Sequence, residues 1–123
     1  MNTDGAVHVT ERIIGCAITV SNTLGCGFLE KVYEAALAHE LRKAGLHIQQ
    51  QHCVSVLYDG IVVGEYRTDL LVDQTVIVEV KATKAVDPAH EAQLLNYLKA
   101  TRLRVGLILN FGTPRLGIKR MMN

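Results

Sequence analysis

Apolar residues in the first third of the chain recur with the period of a helix. Ile13, Ile14, Ala17, Ile18 and Val20 fall at helical spacing between Val9 and Leu24, and the glycines of LGCG end the run. A second stripe, Leu29, Val32, Tyr33, Ala36, Leu37, Ala38 and Leu41, predicts a helix from Phe28 to about Ala44, with Gly45 at the C-terminal cap. The period then changes to two. Ile48, Cys53, Val54, Val56 and Tyr58 read as a strand, Asp59-Gly60 as a tight turn, and Ile61–Val72 as a second strand. Asp73-Gln74-Thr75 breaks the pattern before a third strand, Val76 to Ala82, whose β-branched residues suit a strand buried on both faces.

Asp87-Pro88 has the chemistry of a helix start, a capping carboxylate followed by a proline whose missing N–H is not needed. That helix should run to about Thr101, followed by a strand from Val105 to Phe111 and a short closing strand from Leu116 to Met122. The order is α-α-β-β-β-α-β with an optional last strand. It predicts an antiparallel meander whose third strand is joined by a helical crossover to a parallel fourth, in one mixed sheet flanked by helices.

A chain of 123 residues with 49% hydrophobic and 20% charged residues suits one α/β domain spanning 1–123. Thirteen Lys and Arg against twelve Asp and Glu leave a net charge of +1, so any contact with a polyanion must come from a local patch. The first residues lack a secretory pattern and no stretch approaches a membrane span, which makes the cytoplasm the expected location and a membrane an unexpected partner. Cys16, Cys26 and Cys53 form an odd set without zinc spacing and are read as reduced and structural.

Within YRTDLLVDQTVIVEVKA, charged residues fall inside strands that otherwise want to be apolar. If Val72 pairs with Val76, counting along the ladder sets Asp69 opposite Glu79, with Cβ atoms about 4.5–5.5 Å apart. Two like charges that close resist burial without a cation. Lys81, two residues after Glu79, shares its face, and Arg67 falls across from Lys81 as a substrate contact. This pattern suits a hard divalent ion, Mg²⁺ or alternatively Mn²⁺, held by Asp69, Glu79 and the carbonyl of Val80, with Lys81 orienting water and countering charge at phosphorus. The competing reading puts Asp69 and Glu79 at solvent-facing strand ends in surface salt bridges with Arg67 and Lys81.

The wider pattern bears on this choice. LGCGFLEKVYEAALAHELRKAGL, with Gly27, Glu30, Tyr33 and Glu40-Leu41, resembles the signature of the bacterial GxxExxY protein family, and YRTDLLV, VIVEVKA, EAQLLNYL and GLILNFG resemble that family's later blocks in order. That family is grouped with the PD-(D/E)XK nucleases, so the resemblance implies their mixed α/β fold and a Mg²⁺-dependent phosphodiesterase-type site acting on DNA or RNA. It makes Asp69 the motif aspartate, Glu79 and Lys81 the ExK pair, Glu30 an extra acid from the N-terminal helices, and Gln93 and Tyr97 a QxxxY-like element. Thr68 stands where the superfamily's name has proline.

Tyr33 is expected in the core with its hydroxyl bonded to an acid, and is counted with the substrate-facing residues. His90 is read as solvated and Asn110 as a turn residue. The leading function is a metal-dependent nuclease. The alternatives are a non-catalytic nucleic-acid-binding or protein-interaction module on the same fold, and a member of a larger assembly or homo-oligomer.

Overall fold

The computed structural model describes residues 3–123, with side chains from residue 5 onward. Its elements are α1 (Thr3–Leu24), α2 (Glu30–Lys43), β1 (Ile48–Tyr58), β2 (Ile61–Val72), β3 (Val76–Lys81), α3 (Pro88–Thr101), β4 (Val105–Asn110) and β5 (Gly117–Met122). The five strands form one sheet in the order β1-β2-β3-β4-β5, with β3 and β4 parallel and the other neighbours antiparallel. This is the α/β order and the mixed sheet that the periodicity predicts.

Local chemistry sets the junctions. Asp59 and Gly60 both take positive φ between Tyr58 and Ile61, as do Asp73 and Gln74 after Val72. The first pair gives the tight hairpin of β1 and β2, and the second sets Val72 against Val76. Asp87 caps α3 by accepting from the Ala89 N–H at 2.8 Å, and Pro88 opens the helix.

Helices cover both faces of the sheet. On one face Val9, Ile13, Ala17 and Val20 of α1 and Tyr33, Leu37 and Leu41 of α2 pack on Leu70, Val72, Val78, Val80, Leu107 and Leu109. On the other, Leu94, Tyr97 and Leu98 of α3 pack on Val54, Leu71, Ile77 and Ile108. β3 is therefore buried on both sides, and any polar group it carries must find a partner or a ligand. Among the described residues no helix is long and apolar enough to cross a membrane.

Some boundaries differ from expectation. The second helix begins at Glu30 rather than Phe28, because Gly27 turns at φ +117 and Leu29 stays extended as the N-cap. β4 ends at Asn110 rather than continuing to Phe111. Asn110 is no simple turn residue. Its buried amide accepts from the N–H groups of Thr83 and Gly112 and donates to the Thr83 carbonyl, all at 3.0 Å, pinning the segment after β3 to the end of β4.

Candidate functional site

The site lies where the middle of the sheet opens. The β2–β3 ladder runs from Val72↔Val76 to Leu70↔Val78 and stops, one rung short of Asp69 and Glu79. The β1–β2 ladder passes from Gln50↔Leu70 to His52↔Thr68, skipping Gln51 and Asp69, and Gln51 takes φ +54. Asp69 thus sits where both ladders of β2 let go. Its carboxylate takes the place of a backbone acceptor, with Oδ2 receiving the Val80 N–H at 2.7 Å. Because a residue's N–H and C=O project to the same edge of a strand, the Val80 carbonyl lies on the Asp69 side as well.

Glu79 shares its face with Ile77 and looks toward the α3 layer. It is 8% exposed, and its Oε1 is buried without a hydrogen-bond partner. Burial first, and then the neighbouring Asp69 charge, push its carboxyl up to about 9, with Lys81 acting the other way. Glu79 is therefore protonated at neutral pH when no cation is present. Lys81, partly buried, follows on the same face. The ion pairs among the described residues are Lys43–Glu40 and Lys119–Glu91, so the surface-salt-bridge reading of Asp69 and Glu79 is not realised.

The N-terminal motif has a structural explanation. The Tyr33 hydroxyl donates to the Gly25 carbonyl at 2.6 Å and accepts from the Phe28 N–H at 3.2 Å, while its ring stacks on Phe111 at 4.8 Å. Tyr33 is fully buried, so its expected place among substrate-facing residues is corrected, as is the expected bond to an acid. It holds the Gly25–Phe28 loop and so sets where α2 begins. Glu30, in the first turn of α2, is raised in pKa by partial burial. Lys81 and His90 oppose that shift and Asp69 and Glu34 add to it, so all four lie within electrostatic reach of its carboxyl.

From α3, Tyr97 is 5% exposed, and burial together with Glu79, Tyr66 and Asp69 pushes its hydroxyl up to about 12, leaving it a neutral donor. Gln93, exposed one turn earlier, lines a groove with Tyr97. Arg67 departs from its expected position across from Lys81. Because β2 has left β3 by that point, Arg67 pairs with Cys53 of β1 and its guanidinium donates to the Gln51 carbonyl at 3.4 Å.

Glu34 and Gln51 escaped the sequence reading. Glu34, 7% exposed, accepts from Gln51 Nε2 at 3.0 Å and from Gln50 Nε2 at 3.3 Å, and the same Gln51 Nε2 reaches Asp69 Oδ1 at 3.5 Å. Gln51 thus ties α2 to the aspartate. Glu34 lies one helical turn after Glu30, and the polar run Gln49-Gln50-Gln51 interrupts an apolar strand; both were legible signals. His90, read as solvated, is half-buried with its Nδ1 enclosed and unpartnered.

Among the described residues no three His, Cys, Asp or Glu side chains form a metal cluster. The donor set nonetheless fits Mg²⁺ or Mn²⁺. Mg²⁺ is usually bound by one or two carboxylates, with waters and substrate phosphates completing its shell, and the orphaned Glu79 Oε1 beside Asp69 is a polar atom a cation would satisfy.

Comparisons with known proteins bear on the fold and the family. Curated proteins give no match. Among solved structures, the crystal structure of SSO0001 is similar with a TM-score of 0.58 at 16% sequence identity, over 76% of this chain and 49% of that one. The chain spans about half the length of that structure, and at this identity the likeness is one of fold alone. A scan against protein families matches residues 7–121 to the PD-(D/E)XK nuclease superfamily, a segment that takes in every residue of the site and all but the ends of the chain. This chain therefore belongs to the PD-(D/E)XK nuclease superfamily.

Proposed function

We propose that the chain is a metal-dependent nuclease that hydrolyses phosphodiester bonds in DNA or RNA, with Asp69, Glu79 and the Val80 carbonyl as the ligands of Mg²⁺ or Mn²⁺. The observation that carries this reading is the enclosed Glu79 carboxyl, its Oε1 without a partner, set against Asp69 at the fork of the sheet, with Lys81 beside it. Two carboxyls so close, one of them buried, raise the cost of ionising either, and a divalent cation offsets that cost.

Bound there, the ion would polarise a phosphate oxygen and lower the pKa of a water. Asp69 is held by the Val80 N–H and Gln51, so its oxygens are fixed before any ligand arrives. Lys81 orients the attacking water and offsets the negative charge that builds on phosphorus. Tyr97, kept neutral, donates toward the same region, and Gln93 and Arg67 approach the substrate from the rim. Glu30 supplies a further carboxyl through its reach to Lys81 and Asp69. In this reading the chain is a bacterial GxxExxY-type protein that works in the cytoplasm, where the nucleic acid is.

The test is cleavage of labelled single-stranded DNA, duplex DNA and RNA with Mg²⁺, with Mn²⁺ and with EDTA. Wild type should cut at least one substrate only with metal, and Lys81→Ala should lose more than about a hundredfold in rate while still binding Mn²⁺. Cutting that persists in EDTA, or a fully active Lys81→Ala, contradicts the proposal. Nucleic-acid binding without any turnover in the wild type would instead support the non-catalytic module.

A further inference from the structure

A groove of about 920 Å³ runs between α3 and the outer half of the β1–β2 hairpin. Tyr97 lines it, and the Tyr97 hydroxyl is within electrostatic reach of Glu79 and Asp69. Lys99 and Arg102, in the last turn and at the C-cap of α3, line it as well. From this arrangement we infer that the groove holds unpaired nucleotides, DNA or RNA, beside the phosphate presented to Asp69, Glu79 and Lys81. The inference rests on the nuclease reading and adds the form of the substrate.

Charge is the first argument. Among the described residues no Asp or Glu lines the groove, and its two charged residues, Lys99 and Arg102, are both cations, in a chain whose net charge is only +1. A polyanion gains nothing from the molecule as a whole but does gain from this strip. The second argument is the stacking surface. Tyr66, 48% exposed, presents its ring from β2 and leans on Tyr97 at 5.6 Å between centroids. A base stacks on such a ring whatever its identity.

Room and polarity complete the case. Ala89 and Ala92 keep the helical wall low, while Gln93 and Asn96 offer amides that can donate to and accept from a base edge. The volume lies near the top of the range of about 300–1,000 Å³ for pockets that enclose small organic ligands. That suits a nucleotide or two and excludes a duplex, whose base faces are hidden in its own stack. Arg102 also sits at the C-cap of α3 with φ +63, a position that favours glycine, so an unfavourable residue holds the place where the groove has a cation.

The test measures anisotropy of a short fluorescein-labelled oligothymidylate, the matching oligouridylate and a duplex of equal length, in EDTA and over a range of salt, so that neither metal nor cleavage is needed. Wild type should bind the single strands more tightly than the duplex, and the better of the two single strands identifies DNA or RNA. Tyr66→Ala should weaken that binding about tenfold or more. Arg102→Gly should weaken it and reduce the slope of log affinity against log salt by about one, with an unchanged or higher Tm, so that the loss cannot be ascribed to unfolding. Equal affinity for single strand and duplex, or unchanged affinity in both variants, overturns the inference. So does a concentration-dependent size by sedimentation with no oligonucleotide bound, which would mean that a second copy covers the groove. Mn²⁺ binding by the same proteins keeps the two readings apart: bound oligonucleotide without bound Mn²⁺ upholds the groove and removes the nuclease.

Discussion

Replacing Glu79 by Gln should make the metal-free protein more stable while removing its affinity for metal. Glu79 ionises near 4.5 in an unfolded chain and near 9 in the fold, because it is buried against Asp69. Between those values the native state binds a proton that the unfolded state has released, so unfolding becomes easier as pH rises, by about 1.4 kcal/mol per unit. By pH 7 this amounts to ~3 kcal/mol lost relative to pH 4.5. Gln resembles the protonated acid and does not titrate. It does bring an extra N–H into an enclosed space, at a cost of about 1 kcal/mol. Glu79→Gln should therefore be stabilising by ~2 kcal/mol at pH 7 and close to neutral or slightly destabilising at pH 4.5. Urea unfolding in EDTA at several pH values measures both proteins. The pH profiles should diverge steadily between pH 5 and 8; parallel profiles would refute the reasoning, because Glu79 would then be ionising in the fold as freely as in water.

The remaining predictions concern the supports of the site. Thr68→Val should stabilise by about 1 kcal/mol, since the buried Thr68 hydroxyl has no partner and its removal leaves no hole; thermal denaturation is the check. Tyr33→Phe should cost about 1–2 kcal/mol by orphaning the Gly25 carbonyl and the Phe28 N–H, as read by urea unfolding, and amide exchange should show the loop before Glu30 opening first. Asn110→Ala should cost about 2–4 kcal/mol, because three backbone groups lose their partner at once. A smaller loss in urea unfolding would mean that water replaces the amide.

The fold was legible because its signals were local. Period-two runs, Asp-Gly and Asp-Pro junctions, and the helix between two buried strands each pointed to one element and one connection. The ladder count from Val72↔Val76 also put Asp69 beside Glu79, and their charges do meet, although the ladder itself ends at Leu70↔Val78. It failed past Leu70↔Val78, and so misplaced Arg67, because a count assumes that pairing continues. The two carboxyls end the pairing, and Asp69 turns to the Val80 N–H. Gln51 was missed for the same reason. Its positive φ and its bonds to Glu34 and Asp69 depend on a helix and a broken ladder meeting in space. Tyr33 shows the opposite limit, since its place in the motif marked it as important while its burial shows that it positions a loop.

The central claim is that Asp69 and Glu79 form one cation site, and the proton balance of Mn²⁺ binding tests it most directly. Calorimetry at pH 7 in buffers of different ionisation enthalpy should show close to one proton released per ion bound, as Glu79 gives up its proton to the cation, with no binding by Asp69→Ala or Glu79→Gln. Binding that releases no proton, or that survives either substitution in a folded protein, would contradict the account.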